Sequence, residues 1–331
     1  MKNILIALLL ALATSCLACS GPDPPGWSST SQVRSYSPPV TPGNISTVTH
    51  HLWTRSNFGD PDYYVLYPLN KTSLEESPFN PEWPTYFFFH GGHSNAETHW
   101  CRLSKTEMLI RREANVFSTD YGHMVTDGSE DINDAVNQVA NLTAAVIDWL
   151  HEETGLLHSQ VHSVGHSLGG NTAGLVGFYL KGKLGRLTVM DPSKDTSDPP
   201  TVDTSYASYV DVWHTNGGPV SEGAESTLTR LGHVDFYVNG GTHQAGCPQD
   251  YTDFFAQCSH CRASDFWVES INADPPFTAW PCDSWDDYQG GLCQDCGQGC
   301  LDMGPNDVKR LNGTYYLRTA PEPPFALGDQ Q

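Results

Sequence analysis

The chain is 331 residues long, with 38 Asp and Glu against 17 Lys and Arg, a formal net charge of −21. No basic stripe is present to replace phosphate counterions, which excludes nucleic acid as a partner and polybasic docking on strongly anionic membranes. Charged residues at 17% and aromatics at 11% exclude a wholly disordered chain and leave a globular protein with a sizeable core.

Lys2 and the apolar run Ile4 to Ala13 come first. The run is too short to span a bilayer and has the form of a secretory leader, with cleavage after Ser15 or Ala18. Residues 1–18 are therefore assigned to a signal peptide and the chain to the extracellular space. The leader carries Lys2 and no acid, so its removal lowers the net charge to −22. Residues 20–43 hold six prolines in 24 residues, so 19–43 read as an extended Pro/Ser-rich tail. The closing residues 320–331 (APEPPFALGDQQ) have the same character and read as a flexible C-terminal tail. One domain is expected over 44–319.

Within it, Thr47–Thr54 and Tyr63–Tyr67 are rich in β-formers. Tyr86–Phe89 is a continuous apolar run ended by His90-Gly91-Gly92, a pattern that predicts a strand buried on both faces. Asn115–Thr119 is a further short strand candidate. Ile132, Ala135, Val136, Val139 and Leu142 then recur at helical spacing, and Gly155 supplies a stop. A strand near Val161–Val164, a Gly-rich helix and a strand at Leu187–Met190 follow. This alternation predicts an α/β protein: a mostly parallel sheet with helices on both faces.

Gly165-His166-Ser167-Leu168-Gly169 has the form G-x-S-x-G. A chain of this composition yields roughly 0.2 such matches by chance, so the pattern alone is weak. Its position is the stronger signal, because it falls where a strand ends and a helix begins, as a nucleophile elbow requires. There the serine is strained on a tight turn, its Oγ projects above the sheet, and the next N–H is free for an oxyanion. A serine nucleophile needs a base, and the base needs an orienting acid. The α/β-hydrolase order is Ser, acid, His, so Asp191 after the Leu187–Met190 strand is the simplest acid. Four histidines fit that order: His214, His233, His243 and His260. Spacing does not choose among them, although His214 and His233 sit in strand-like segments that suit hydrogen-bonded core histidines. His90, His93 and His99 lack a carboxylate at a recognisable ligand spacing, so no metal is assigned.

From Ser163 to Ser270 the chain resembles the pancreatic-type lipase family, which includes secreted phospholipases A₁. The matching stretches are SVGHSLGG around Ser167, VMDP at Asp191, VDVWHTN at Val210–Asn216, GHVDFYVNGGTHQAGC at Gly232–Cys247 and CSHCRASDFWVES at Cys258–Ser270. The resemblance implies Ser167 as nucleophile, Asp191 as acid and His260 as base. It implies backbone oxyanion donors at Gly92 and Leu168; the family usually has a bulkier residue where Gly92 stands. It also pairs Cys247 with Cys258, Cys282 with Cys293 and Cys296 with Cys300. Parity then joins Cys101 to Cys261; if Cys19 survives processing, Cys19–Cys101 competes and Cys261 is left as a free thiol. Zinc held by Cys282, Cys293, Cys296 and Cys300 is the rival reading, disfavoured because exported thiols oxidise.

The loop between Cys247 and Cys258 corresponds to the family's lid, and Tyr251, Phe254 and Phe255 are its expected lipid contacts. With ten residues it is short, and the chain ends without the family's C-terminal β-sandwich. Both features favour a phospholipase A₁ acting at a lipid–water interface over a triacylglycerol lipase or a galactolipase. A non-catalytic lipid-binding or yolk-type storage protein on the same fold is the reading from another class. Asn44, Asn70, Asn141 and Asn312 head N-x-S/T sequons. Some members bind calcium after the acid. Here Asp203 matches one ligand position but Tyr206 occupies another, so no cofactor is expected. Nor is a nucleic-acid partner, a stable membrane insertion or a protein partner.

Overall fold

Thr85–Phe89 (β3), with sequence TYFFF, is buried at all five positions, as an apolar run without alternation demands. Its side chains divide by the period of two. Phe87 and Phe89 join the core cluster holding Val136, Val139 and Val176, whereas Tyr86 and Phe88 join that of Trp100, Met108, Phe266 and Trp267. Those partners lie on helices either side of the sheet: Ile132–Thr154 (α3) and Leu168–Tyr179 (α4) on one face, His99–Arg111 (α2) and Ala256–Ser270 (α5) on the other. This is the two-faced α/β arrangement expected, and the fold is the α/β-hydrolase fold.

The computed structural model describes residues 47–329 apart from 60–62, 127–130, 196, 198, 249–255, 294, 297–298 and 308. The leader, the N-terminal tail, Asn44 and the lid residues Tyr251, Phe254 and Phe255 lie outside the described residues. The remaining strands are Thr49–Trp53 (β1), Tyr64–Leu66 (β2), Asn115–Asp120 (β4), Val161–His166 (β5), Arg186–Met190 (β6), Val210–His214 (β7), Val234–Val238 (β8), Thr278–Pro281 (β9), Leu301–Asp302 (β10) and Gly313–Leu317 (β11). Their order is β10-β9-β11-β8-β7-β6-β5-β3-β4-β1-β2. From β4 to β11 through the centre all neighbours are parallel, and the antiparallel pairs lie at the two edges. All carboxyl ends of the central strands therefore open on one side, where an α/β sheet builds its sites. The long helix α3 starts on Asp131, whose side chain accepts from the N–H groups of Asn133 and Asp134. It stops at Gly155, left-handed at φ 80°.

Two expectations fail. The segment from residue 320 is not a loose tail: Phe325 and Ala326 are buried, and both Glu269 carboxylate oxygens accept their N–H groups at 2.9 and 2.8 Å. Arg262 also stacks over the Phe325 ring. Nor does Cys101 pair with Cys261, or with any other cysteine. Cys101 is a buried free thiol, and Cys261 is disulfide-bonded with a partner outside the described residues. Among the described residues Cys247–Cys258, Cys282–Cys293 and Cys296–Cys300 are disulfides, so the four candidate zinc cysteines are not thiolates.

Candidate active site

Ser167 joins β5 to α4 with φ 58° and ψ −129°, a conformation that costs a residue with a Cβ. The turn is held by its neighbours. Ser167 N–H donates to the Met190 carbonyl at 3.0 Å, and Gly170 N–H donates to the Ser167 carbonyl at 2.8 Å. Ser167 is half-buried, which leaves its hydroxyl reachable.

Asp191 follows β6, one strand over, and is fully buried. Its two oxygens have separate tasks. Oδ1 accepts from the N–H groups of Thr215 and Asn216 at 2.8 and 2.9 Å, and Oδ2 accepts from His260 Nδ1 at 2.6 Å. Because a carboxylate only accepts, the His260 proton facing it must sit on Nδ1, leaving Nε2 as the free base position. Burial by itself would raise the Asp191 pKa. The His260 hydrogen bond and charge, with the two backbone N–H groups, outweigh burial and hold it below the usual carboxylate range.

His260 comes from the far-off helix α5, and its backbone is tied to the elbow: His166 Nε2–H donates to the His260 carbonyl at 2.9 Å. Asp191 and His260 are thus brought into direct contact beside Ser167. The Ser167 hydroxyl itself is hydrogen-bonded to Ser193 Oγ at 3.3 Å and not to His260. Catalytic hydrogen bonds are often long or misaligned before substrate binds. Leu168 opens α4, so its N–H has no acceptor in the preceding turn. Gly91 lies against Ser167, where a Cβ would stand 3.2 Å from the serine Cβ, and Gly92 lies next to Leu168. Four participants carried no sequence signal of their own. His166 and Ser193 touch His260 and Ser167, while Thr215 and Asn216 act only through backbone N–H groups. The rejected His214 is a buried core histidine bonded to Asp235 and the Thr227 carbonyl. His233 accepts from Val210 N–H.

Burial pushes His166 down to about 3, His50 to about 3 and His90 to about 4, with neighbouring histidines adding to each. These groups are neutral when folded but titrate near 6.5 when unfolded, so the unfolded chain binds more protons between those values. Stability is therefore complete above about pH 6.5 and declines as the pH falls toward 4. Urea midpoints measured from pH 7 to pH 4 should fall continuously. A flat profile would mean that these rings are not buried neutral.

At the calcium positions, Asp203 accepts from Ser205 N–H at 2.8 Å, and the Tyr206 hydroxyl donates to the Pro200 carbonyl. Asn70, Asn141 and Asn312 are exposed. Asn70 also caps the short helix Lys71–Glu75 (α1) by accepting from Ser73 N–H.

The Lipase family model matches residues 11–325. Mouse (Mus musculus) pancreatic triacylglycerol lipase is 28% identical over 335 residues, 94% of this chain and 71% of that protein. Human (Homo sapiens) pancreatic lipase-related protein 2 is 29% identical over 332 residues, 92% of this chain and 69% of that protein. Zebrafish (Danio rerio) lipase member H is 31% identical over 249 residues, 71% of this chain and 53% of that protein. Among solved structures, Est1E from Butyrivibrio proteoclasticus with bound ferulic acid aligns at 13% identity and a TM-score of 0.33. That alignment covers 53% of this chain and 78% of the other. The match along nearly the whole folded span joins the sheet order in one conclusion: the chain belongs to the lipase family and is a carboxylic-ester hydrolase.

Proposed function

We propose that the chain is a secreted lipid-ester hydrolase that works through an acyl-enzyme on Ser167, with His260 as base and Asp191 as its orienting acid. The carrying observation is the 2.6 Å bond between Asp191 and His260 next to a serine held on a strained elbow. In this reading Ser167 Oγ attacks the acyl carbonyl while His260 Nε2 takes its proton. His260 then returns that proton to the departing alcohol, and Asp191 stabilises the imidazolium throughout. Water repeats the cycle and releases the fatty acid. The N–H groups of Leu168 and Gly92 receive the oxyanion, each worth about 3 kcal/mol in the transition state. Secretion is supported by the leader-like run and by the disulfides, which form in oxidising compartments.

The substrate class in this proposal is phospholipid cleaved at sn-1, as by a phospholipase A₁, met at a lipid–water interface. Its support is the length of the segment closed by Cys247 and Cys258, whose ten residues are few for the family's lid. Triacylglycerol cleavage is the second reading, favoured by the name of the mouse relative. Among the described residues no helix is long and apolar enough to cross a membrane. Phosphatidylcholine with different acyl chains at its two positions should lose the sn-1 chain, identified by mass spectrometry. Strong cleavage of triolein with phosphatidylcholine untouched would replace the phospholipase reading by the second one. A fluorophosphonate should label the Ser167 peptide, and an unlabelled peptide would favour a storage or lipid-binding protein instead.

A further inference from the structure

The peptide between Gly91 and Gly92 has no side chain on either flank, so sterics alone do not hold it in one of its two orientations. Yet its N–H is the donor that the proposed oxyanion hole needs, and its carbonyl points the opposite way, as in any trans peptide. The structure pins that carbonyl. His90 is fully buried, and its Nδ1–H donates to the Gly91 oxygen at 2.8 Å. The ring is itself fixed by stacking on Tyr121, with centroids 4.0 Å apart and planes 16° from parallel. The Tyr121 hydroxyl donates to the His90 carbonyl, and Tyr121 N–H points at His90 Nε2 from 3.5 Å. Downstream, His93 N–H is tied to the Val125 carbonyl at 3.0 Å. Between these anchors, Gly92 N–H has no protein acceptor among the described residues.

We infer that His90 is the positioning residue of the oxyanion hole: by holding the Gly91 carbonyl through Nδ1–H, it keeps the Gly91–Gly92 peptide from flipping and aims the Gly92 N–H beside Ser167. The inference rests on the proposed role of Ser167 and Gly92. It requires one tautomer, with the proton on Nδ1 and the lone pair on Nε2. The contacts favour that tautomer, since the Gly91 oxygen can only accept and the Tyr121 N–H can only donate. Burial, which lowers the His90 pKa to about 4 despite Asp120 and the Gly91 bond, keeps the ring neutral at working pH.

Two variants and one measurement on the unaltered protein test this. His90→Phe keeps a ring against Tyr121 but removes the donor, while His90→Asn restores an N–H donor near the Nδ1 position. On a soluble p-nitrophenyl ester, His90→Phe should lower kcat by about 100-fold with KM little changed, and His90→Asn should keep at least about a tenth of the wild-type kcat. The matching thionoester places sulfur, a poor acceptor, where the oxyanion forms. The wild-type preference for the oxygen ester should therefore shrink in His90→Phe. Unchanged kcat, or equal loss on both esters, overturns the inference, because a general packing defect would not alter the oxygen-to-sulfur ratio. If His90→Phe does not fold, ¹⁵N NMR of the wild-type imidazole decides: Nδ1–H is expected, and an Nε2–H tautomer refutes it. Fluorophosphonate labelling of Ser167 in the wild type is read separately, so failure of the nucleophile assignment is distinguishable from failure of the His90 role.

Discussion

Asp191→Asn should leave the protein folded and binding substrate, yet lower kcat by about four orders of magnitude. The backbone tolerates the change: Asp191 has φ 46°, a left-handed conformation that asparagine adopts readily. The amide orientation is dictated by what surrounds it. Thr215 and Asn216 present two N–H donors to Oδ1, so the amide oxygen must face them and the NH₂ must face His260. His260 Nδ1 would then have to accept, moving its proton to Nε2, the atom that takes the proton from Ser167 in the proposed mechanism. The histidine is present but in the wrong tautomer. Turnover on a soluble ester, measured alongside a thermal midpoint close to wild type, checks this. A folded variant with more than a tenth of wild-type turnover would mean that another group orients His260.

The central strands and the helix α3 were legible because their signals are local. The apolar run of β3, the 3.6-residue period of α3 and its Gly155 stop each follow from neighbours in sequence. Helix α2 carried no such signal, because its buried face includes Ser104 and Lys105 beside Trp100, Met108 and Leu109. Lys105 is buried with its ammonium donating to the Phe58 carbonyl at 2.5 Å and lying over the Trp53 ring. That is a long-range solution which no period reveals. The tail from residue 320 misled for the same reason: its composition is that of a tail, but its anchor is Glu269, a charge on another element. Cysteine parity failed because a count carries no geometry: Cys101 lies on the buried face of α2 as a free thiol. At the site, Ser167 stood out by its G-x-S-x-G pattern and Asp191 by chain order, whereas the choice of His260 among four histidines came only with the family resemblance. The N–H groups of Thr215 and Asn216 belong to no residue type, and His90 stood out only as the end of a strand and as one of three histidines without a carboxylate to complete a metal site.

Gly169→Ala should cost at least about 3 kcal/mol, beyond the usual range for one added methyl group, and abolish activity with the fold. A Cβ at Gly169 would stand 2.0 Å from the Phe89 carbonyl oxygen and 2.4 Å from that of His90. Both are backbone atoms at the end of β3, which pairs with β5 on one side and β4 on the other, so neither can retreat without opening the sheet. Gly165 faces the same constraint across the elbow, with a Cβ 2.0 Å from the Gly169 oxygen. The two outer glycines of G-x-S-x-G are therefore required by backbone contact as well as by the strain at Ser167. Gly92→Ala is the contrasting case in the adjoining loop. Its Cβ would meet nothing closer than Leu168 Cδ2 at 3.9 Å, so stability should change by no more than about 0.5 kcal/mol. Urea unfolding of the two variants beside wild type measures both. Equal effects would mean that the elbow yields to the methyl group, and that close packing of β3 against α4 is not what selects glycine at position 169.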